Sequence, residues 1–155
     1  MARLEFDLDT DLAPERVISA LIDFTERRPD LWPGLRRGDY RVDEIGPTWA
    51  VIREGSGGTI WSRERYDWST AGSVTWTVED SGFATRGDAI RADVRPVPGG
   101  RGSRVHVSWL RRGRNLPGRI IVALIAGTRG YPLKRSFRSG FRAIAAHDAQ
   151  QAGTK

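Results

Sequence analysis

The chain of 155 residues has the length of one domain and contains no cysteine, which excludes disulfides, thiolate catalysis and thiolate zinc sites. Its 39% hydrophobic and 28% charged residues exclude collagen, a coiled coil and a wholly disordered chain. The longest uncharged run, residues 120–128, is far shorter than the roughly 20 residues that span a bilayer, and the first ten residues lack the pattern of a signal peptide. We therefore expect a cytoplasmic protein with one domain at residues 1–150 and a frayed tail at 151–155.

Charge is distributed unevenly along the chain, whose formal net charge is +6. Residues 1–93 carry an excess of acids, whereas residues 94–147 contain twelve basic residues and no Asp or Glu. Such asymmetry is typical of a surface that meets phosphates, either of RNA or of an anionic membrane. The alternative is an arginine-bearing outer face that packs against the acidic half, and it is favoured because no RNA-reading motif is present. No specific nucleic acid is expected; a contact with an anionic surface would use Lys134, Arg135, Arg138 and Arg142.

The first part of the chain predicts one strand and two short helices. Arg3–Asp9 alternates apolar and charged residues, which indicates a half-buried strand. Pro14 suits the first turn of a helix that should end after Phe24. The following segment, RRPDLWPGLRRG, contains two prolines and predicts a short helical turn and a loop that place Trp32 inward.

From Asp39 the apolar period changes to two residues, which indicates strands. Glycine-rich and proline-rich turn sequences separate six segments, at residues 39–45, 48–54, 60–68, 73–79, 83–95 and 103–112. Short connections between consecutive strands predict an antiparallel meander. With the first strand, the sheet should have about seven strands.

A second helical region is predicted from Pro117 to about Gln150, with a kink or break at residues 127–132 that contain two glycines and a proline. This helix is the only element long enough to cover the concave face of a curled sheet. The predicted fold class is α+β, with a curved antiparallel sheet of about seven strands wrapped around a long C-terminal helix and two short helices after the first strand. A pocket should remain between the sheet and that helix.

Several strings, in this order, resemble the START-like (SRPBCC) superfamily with its helix-grip fold, and within it the bacterial polyketide cyclase/dehydrase-like branch. They are APERVISALIDF, RPDLWPGL, RERYDW, VRPVPGGRGSRVHV and LKRSFRSGFRAIAAH, and the similarity covers about residues 3–148. The resemblance implies a deep cavity between sheet and helix that holds an apolar or aromatic small molecule. Members of the superfamily include lipid carriers, hormone receptors and aromatase/cyclases, so the resemblance leaves the reaction open.

Neither metal nor cofactor chemistry is predicted from the residues. The chain has two histidines: His106 alternates against two inward valines and should face outward, and His147 lies near the end of the last helix. A metal site or a catalytic triad would need both at one place with a carboxylate. The glycine strings at 55–58 and 98–102 do not precede helices, so they predict hairpin loops rather than phosphate-binding loops.

Glu64, Tyr66 and Arg86 are the candidate catalytic residues if the chain is an enzyme. Glu64 lies two residues before Tyr66 and shares its strand face, so it reaches the cavity if Tyr66 does. A carboxylate buried there would have a raised pKa and would exchange a proton. The alternative is that the RERYDW string forms salt bridges on the outer face of the sheet, with Arg63, Arg65 and Asp67 turned to solvent. Arg86 is a charged residue in a predicted strand of small residues.

The six tryptophans are the most informative feature of the composition. Aromatic walls offer a ligand stacking area, and each indole adds one oriented N–H donor. The alternative is that these side chains only fill the core. The predicted cavity walls are Trp32, Tyr66, Trp76, Trp109, Phe137 and Phe141.

Three functions remain open at this point. A carrier or sensor of a small hydrophobic or aromatic metabolite is favoured, because the residues offer no self-contained catalytic set. An enzyme of the cyclase or dehydratase (lyase) type, without a metal, would act on a ligand in the same cavity mainly by positioning it. Binding of RNA or an anionic membrane by the basic region 94–147 is the third.

Overall fold

The computed structural model describes residues 1–154. The strands are β1 (Ala2–Thr10), β2 (Arg41–Ile45), β3 (Trp49–Gly57), β4 (Ile60–Asp67), β5 (Ser73–Ser81), β6 (Ala89–Pro96) and β7 (Ser103–Arg111). The helices are α1 (Pro14–Leu21), α2 (Arg28–Leu31), α3 (Leu116–Gly127) and α4 (Tyr131–Ala152), and a 3-10 turn covers Arg37–Asp39.

All seven strands form one antiparallel sheet in the order β1-β7-β6-β5-β4-β3-β2. Strands β2 to β7 follow one another as a meander, and β1 pairs beside β7. In that pair Phe6 lies opposite Val107 and Leu8 opposite Val105, and all four side chains are buried. The period-two apolar pattern therefore specifies the covered face of the sheet, and the prediction of about seven strands is confirmed.

Helix α4 packs across the covered face of the sheet. Phe137, Phe141 and Ile144 recur at helical spacing and are buried there. Helix α1 adds its own buried residues to the same core, and Arg16 donates two hydrogen bonds of 2.8 Å to the carboxylate of Asp148 on α4. The predicted arrangement of a curved sheet, two short helices after the first strand and a long C-terminal helix is confirmed.

The predicted break at residues 127–132 separates α3 from α4. Arg129 and Gly130 both adopt left-handed backbone, with φ of 54° and 74°. A Cβ at Gly130 would lie 3.1 Å from Leu4 Cδ1, so glycine suits both the conformation and the close approach to β1. Because the backbone leaves the right-handed helical conformation at these two residues, α3 and α4 are two helices rather than one kinked helix.

Several predicted boundaries differ from the observed ones, including the end of α1, which lies at Leu21 rather than after Phe24. The strand predicted at 83–95 begins only at Ala89, because Gly87 has φ of 89° and the buried carboxylate of Asp88 accepts a hydrogen bond from the backbone of Arg112. The placement of Arg86 in a strand is therefore wrong. Helix α4 continues to Ala152, and Lys155 of the predicted tail lies outside the described residues. Within residues 1–154, no helix is both long and apolar enough to cross a bilayer.

Candidate functional site

A cavity of about 210 Å³ lies between the covered face of the sheet and the first turns of α4. Most of its walls are apolar, and exposed Gly34 and Ser56 lie where it meets solvent. The lining residues are Leu21, Arg28, Trp32, Gly34, Leu35, Glu54, Ser56, Tyr66, Trp76, Ile90, Leu133, Ser136 and Phe137. Loops, strands and helix thus meet around a space suited to a small molecule.

Four aromatic side chains line the cavity: Trp32, Tyr66, Trp76 and Phe137. Tyr66 and Trp76 are register partners on β4 and β5, and their rings stack with centroids 5.4 Å apart at 10°. Phe137 of α4 lies 6.3 Å from Trp76 and meets Trp32 edge-on at 6.2 Å. Such aromatic surfaces favour a flat apolar ligand.

The cavity brings together four of the six aromatic residues predicted to line it, namely Trp32, Tyr66, Trp76 and Phe137. Trp109 and Phe141 are buried in the core but do not line this cavity. Phe141 lies one helical turn beyond Phe137 and supports the wall indirectly, because its ring packs against Trp32 with centroids 6.0 Å apart.

A buried polar network forms one end of the cavity. The Arg28 guanidinium donates through Nε to Glu54 Oε1 at 2.5 Å and through Nη2 to the Tyr66 hydroxyl at 3.4 Å. Tyr66 in turn donates to Glu54 Oε2 at 3.0 Å. Arg28 Nη1 also donates to the carbonyl oxygens of Leu21 and Asp23, at and just beyond the end of α1. The arginine therefore joins α1, α2, β3 and β4 beneath the aromatic wall.

Charge within this network is balanced. Burial lowers the pKa of Arg28, but the neighbouring Glu54 carboxylate and Tyr66 outweigh it, and the pKa is raised above its ordinary value. Burial raises the pKa of Tyr66 well above its ordinary value, and the Glu54 carboxylate raises it further. Arg28 thus stays cationic and Tyr66 stays protonated near neutral pH.

Two buried donors in this region have no hydrogen-bond partner among the described residues: Trp32 Nε1 and the Tyr40 hydroxyl. Trp32 is 9% exposed and lines the cavity. Burial raises the pKa of Tyr40 to about 12, so its hydroxyl keeps its proton. Buried polar groups are almost always hydrogen-bonded, so the unpartnered indole N–H of a residue that lines the cavity is a candidate donor to a ligand.

Glu64, predicted to reach the cavity, belongs to a second buried ion pair outside it. Its Oε1 accepts a hydrogen bond of 2.7 Å from Arg111 on β7, and the Glu64 and Arg111 side chains are 11% and 3% exposed. Burial raises the pKa of Glu64 to about 7, although Arg111 acts in the opposite direction. The described core therefore contains two arginine–carboxylate pairs, Arg28–Glu54 and Arg111–Glu64, and of these only Arg28–Glu54 borders the cavity.

Arg86 lies exposed in the turn before β6, away from the cavity lining. Arg28 and Glu54 were not among the predicted site residues. The sequence could have predicted that Glu54 faces inward, because it continues the alternation of the buried residues Ala50 and Ile52 on β3. The sequence could not have predicted a role for Arg28, because the adjacent Arg27 is chemically identical.

The two histidines lie apart from the cavity lining. His106 on β7 faces outward, as expected, with its side chain 44% exposed and Nδ1 2.7 Å from an Asp7 carboxylate oxygen. His147 is half-buried near the end of α4 and contacts Gln151. Across residues 1–154, no three His, Asp or Glu side chains are grouped so as to hold a metal ion.

Solved structures similar to this chain share its fold. A protein from Thermus thermophilus, TTHA0849, superposes with a TM-score of 0.74 at 13% identity, covering 94% of this chain and 98% of that one. A START superfamily protein from Mycobacterium smegmatis gives 0.68 at 13% identity, covering 97% and 99%. StfQ, a di-domain ARO/CYC from the steffimycin biosynthetic pathway, gives 0.71 at 13% identity, covering 98% of this chain and 52% of that chain.

No protein-family model matches the sequence. No curated protein matches it either. At this level of identity the structural likeness shows the fold alone: the chain has the START-like helix-grip fold that the sequence resemblance implied.

Proposed function

We propose that the cavity binds a neutral aromatic or apolar molecule of one or two rings that carries a hydrogen-bond acceptor, and that the chain serves as its carrier or sensor. The observation that carries the proposal is the buried, unpartnered Nε1 donor of Trp32, one of the aromatic residues that line the cavity. A ligand acceptor would satisfy that donor while the rings of Tyr66, Trp76 and Phe137 contact its body.

The volume of the cavity supports the size of this ligand. An apolar cavity of about 150 Å³ in another protein binds benzene, whereas sites for drug-sized ligands are usually about 300–1,000 Å³. At about 210 Å³ this cavity suits one or two rings. A ligand with three or more fused rings would require the walls to move apart.

Charge balance supports a neutral ligand. The Arg28 guanidinium at the cavity wall is already paired with Glu54, and Tyr66 stays protonated. A charged ligand would lose its hydration without gaining a free counterion, which costs several kcal/mol or more. A carbonyl, ether or hydroxyl oxygen meets the needs of Trp32 at much smaller cost.

A matched pair of probes tests the proposal. Acetophenone and ethylbenzene have similar shapes, but only acetophenone has an acceptor oxygen. We expect both to raise the melting temperature and to quench tryptophan emission, with acetophenone binding about fivefold more tightly, the value of one hydrogen bond of about 1 kcal/mol. Trp32→Phe keeps an aromatic ring but removes the N–H, so it should abolish the preference.

Trp109→Phe is the matched control, because it removes an indole that is buried outside the cavity lining. It should keep the preference for acetophenone. Wild-type protein that binds neither probe would contradict the proposal, and so would a preference that Trp32→Phe leaves intact. Native mass spectrometry of freshly purified protein would add the mass of any ligand retained from the cell.

A second candidate function is catalysis of cyclisation or dehydration in the same cavity. It is supported by the hydrogen bond between Tyr66 and the Glu54 carboxylate at the wall, where a proton donor and a proton acceptor adjoin the ligand space. The fold likeness to StfQ agrees with this candidate. In such a reaction Tyr66 would hydrogen-bond a ketone oxygen, and Glu54 would take the proton from the carbon next to it.

Exchange of the methyl protons of acetophenone for deuterium in D2O, followed by NMR, separates the two candidates. An enzyme of this type would accelerate the exchange, and Glu54→Gln would remove the acceleration. A simple binding protein would bind the probe without accelerating exchange. Glu44→Gln, which alters an exposed carboxylate on β2, serves as the control.

A further inference from the structure

Helix α3 exposes a row of large aliphatic side chains. Leu116, Ile120 and Leu124 follow one another at four-residue spacing and are 70%, 54% and 63% exposed. Tyr131, at the start of α4, is 58% exposed. Only three other large hydrophobic residues of the described chain are exposed, and they are scattered over other elements. The row is therefore the main exposed apolar feature of the described residues.

The opposite side of α3 is anchored in the fold. Val122 is buried, and Gly118 packs so closely that a Cβ there would lie 2.1 Å from the Phe83 carbonyl oxygen. Arg119 is the only charged residue in the twelve-residue helix. A helix on a protein surface normally has a polar outer face, whereas a helix that is apolar all round is found in a core or against lipid. The outer face of α3 thus has the composition of a covered surface.

Unpaired cations accompany this apolar row. Six basic residues between 116 and 147 have no carboxylate within 4 Å in the described part of the chain, and this segment contains no Asp or Glu. They are Arg119, Arg129, Lys134, Arg135, Arg138 and Arg142. Among the other arginines of the basic region, Arg104, Arg111, Arg112 and Arg114 are paired with carboxylates, whereas Arg95 and Arg101 are not paired among the described residues. Arg119 lies on α3 and Arg129 directly after it, and both are exposed, so the partner of α3 should be anionic.

We propose that the exposed face of α3 docks on an anionic phospholipid surface, with Leu116, Ile120 and Leu124 entering the interface and the exposed cations Arg119 and Arg129 meeting lipid phosphates. A second copy of the chain fits less well, because an interface around this face would bring two acid-free segments together. RNA fits less well too, because single-stranded bases are bound by aromatic platforms rather than by a row of aliphatic side chains.

The docking surface is adjacent in the chain to the cavity. Arg129 and Gly130 connect α3 directly to the first turns of α4, where Leu133, Ser136 and Phe137 line the cavity. A protein docked through α3 would hold this part of the cavity wall close to the lipid headgroups. The inference does not depend on the nature of the ligand in the cavity.

Flotation with lipid vesicles tests the inference on the full chain. We expect the protein to float with vesicles of phosphatidylcholine mixed with phosphatidylglycerol, to bind pure phosphatidylcholine much more weakly, and to lose binding as salt is raised. The double substitution Ile120→Ser/Leu124→Ser should weaken binding to mixed vesicles at least about tenfold, because both side chains would lose their burial in the interface.

Two matched controls accompany this experiment. Ile45→Ser/Ile60→Ser removes two exposed isoleucines from β2 and β4 and should bind like wild type. Arg119→Gln/Arg129→Gln, on α3 and directly after it, should weaken binding to anionic vesicles, whereas Arg95→Gln/Arg101→Gln should weaken it less. Arg95 lies near the end of β6, and Arg101 lies in the loop that joins β6 to β7. Both are at the end of β7 opposite to α3.

Three results with vesicles or in light scattering would overturn the inference. The first is no flotation with either kind of vesicle at low salt. The second is flotation that Ile120→Ser/Leu124→Ser leaves unchanged. The third is a stable dimer in light scattering that the same double substitution dissociates, which would assign the face to a second copy. Tight salt-sensitive binding of single-stranded RNA with no binding of vesicles would assign the cations to nucleic acid and overturn it as well.

Discussion

The indole ring of Trp32 lies directly against the backbone of Gly140: a Cβ at Gly140 would be 2.3 Å from Trp32 Cε3 and 2.4 Å from Cζ3. Phe137 and Phe141 flank the same indole at 6.2 Å and 6.0 Å. Trp32, which directly follows α2, is therefore held in place on α4 at the position where Gly140 has no side chain. This contact fixes the position of the Trp32 ring beside the cavity.

Gly140→Ala should displace Trp32 and destabilise the protein, because an added methyl group would overlap the ring and neither helix backbone nor buried indole can move freely. We expect a loss of about 1–3 kcal/mol in the free energy of unfolding, as for other overpacked cores, measured by urea denaturation. The same variant should weaken binding of acetophenone.

Gly127→Ala is the matched substitution, because a Cβ at Gly127 would meet nothing within 4 Å. This exposed residue at the end of α3 should tolerate alanine with unchanged or slightly raised stability, up to about 1 kcal/mol. Equal losses in the two variants would contradict the importance of the contact between Gly140 and Trp32.

Removing one member of the Arg28–Glu54 pair should cost nearly as much as removing both. Arg28→Met leaves a carboxylate, and Glu54→Gln leaves a buried guanidinium, in a site where the arginine side chain is only 5% exposed. Each single variant should lose about 3 kcal/mol of unfolding free energy. The double variant should lose less than the sum of the two, and additive losses in urea denaturation would show that the pair is not coupled.

Glu64 should make the protein less stable as the pH rises towards neutrality. Its pKa is about 7 in the folded state against an ordinary value of 4.5, so the folded state holds this proton more tightly than the unfolded chain. The resulting stabilisation is complete below pH 4.5 and is lost as the pH rises through 7, by roughly 3 kcal/mol. Thermal or urea unfolding across this window measures it.

Glu64→Gln isolates this effect, because glutamine stays neutral at every pH. The difference in unfolding free energy between wild type and this variant should change across pH 4.5–7 in the direction just given. Glu44→Gln removes an exposed carboxylate and should follow the wild-type profile. If Glu64→Gln keeps the wild-type pH dependence, another group is responsible.

Arg129→Gly should stabilise the protein. Arg129 has φ of 54°, a left-handed conformation that costs a residue with a Cβ about 1–2 kcal/mol and that glycine adopts freely. Arg135→Gly, at an exposed position inside α4, should instead lose about 1 kcal/mol, since glycine is a poor helix former. A lower melting temperature for Arg129→Gly would contradict the strain inferred at this turn.

Patterns with a fixed period predicted the fold correctly, because strand alternation determines which face is covered. Tyr66 and Trp76 are examples: each is on the inward phase of its strand, and the register makes them neighbours. The break between α3 and α4 was predictable because Gly130 and Pro132 are local signals. Both kinds of evidence depend only on residues near one another in the chain.

The remainder of the site depends on contacts between distant elements. Burial of Trp109 was predictable, but only packing decides that it fills the core while Trp32 borders a space. Arg28 and Glu54 are 26 residues apart, and no periodicity links them. On α3 the spacing of Leu116, Ile120 and Leu124 indicates an apolar stripe but not that the stripe faces outward.

Among the described strands, β1 pairs only with β7, and the register places Ala2 opposite Arg111. During synthesis the backbone hydrogen bonds between β1 and β7 therefore cannot form until most of the chain has been made. Such long-range pairing slows folding and exposes an open strand edge in the meantime. Acidic side chains alternate along β1 at Glu5, Asp7 and Asp9. Their like charges lie along the unpaired strand and disfavour its premature pairing with another nascent chain.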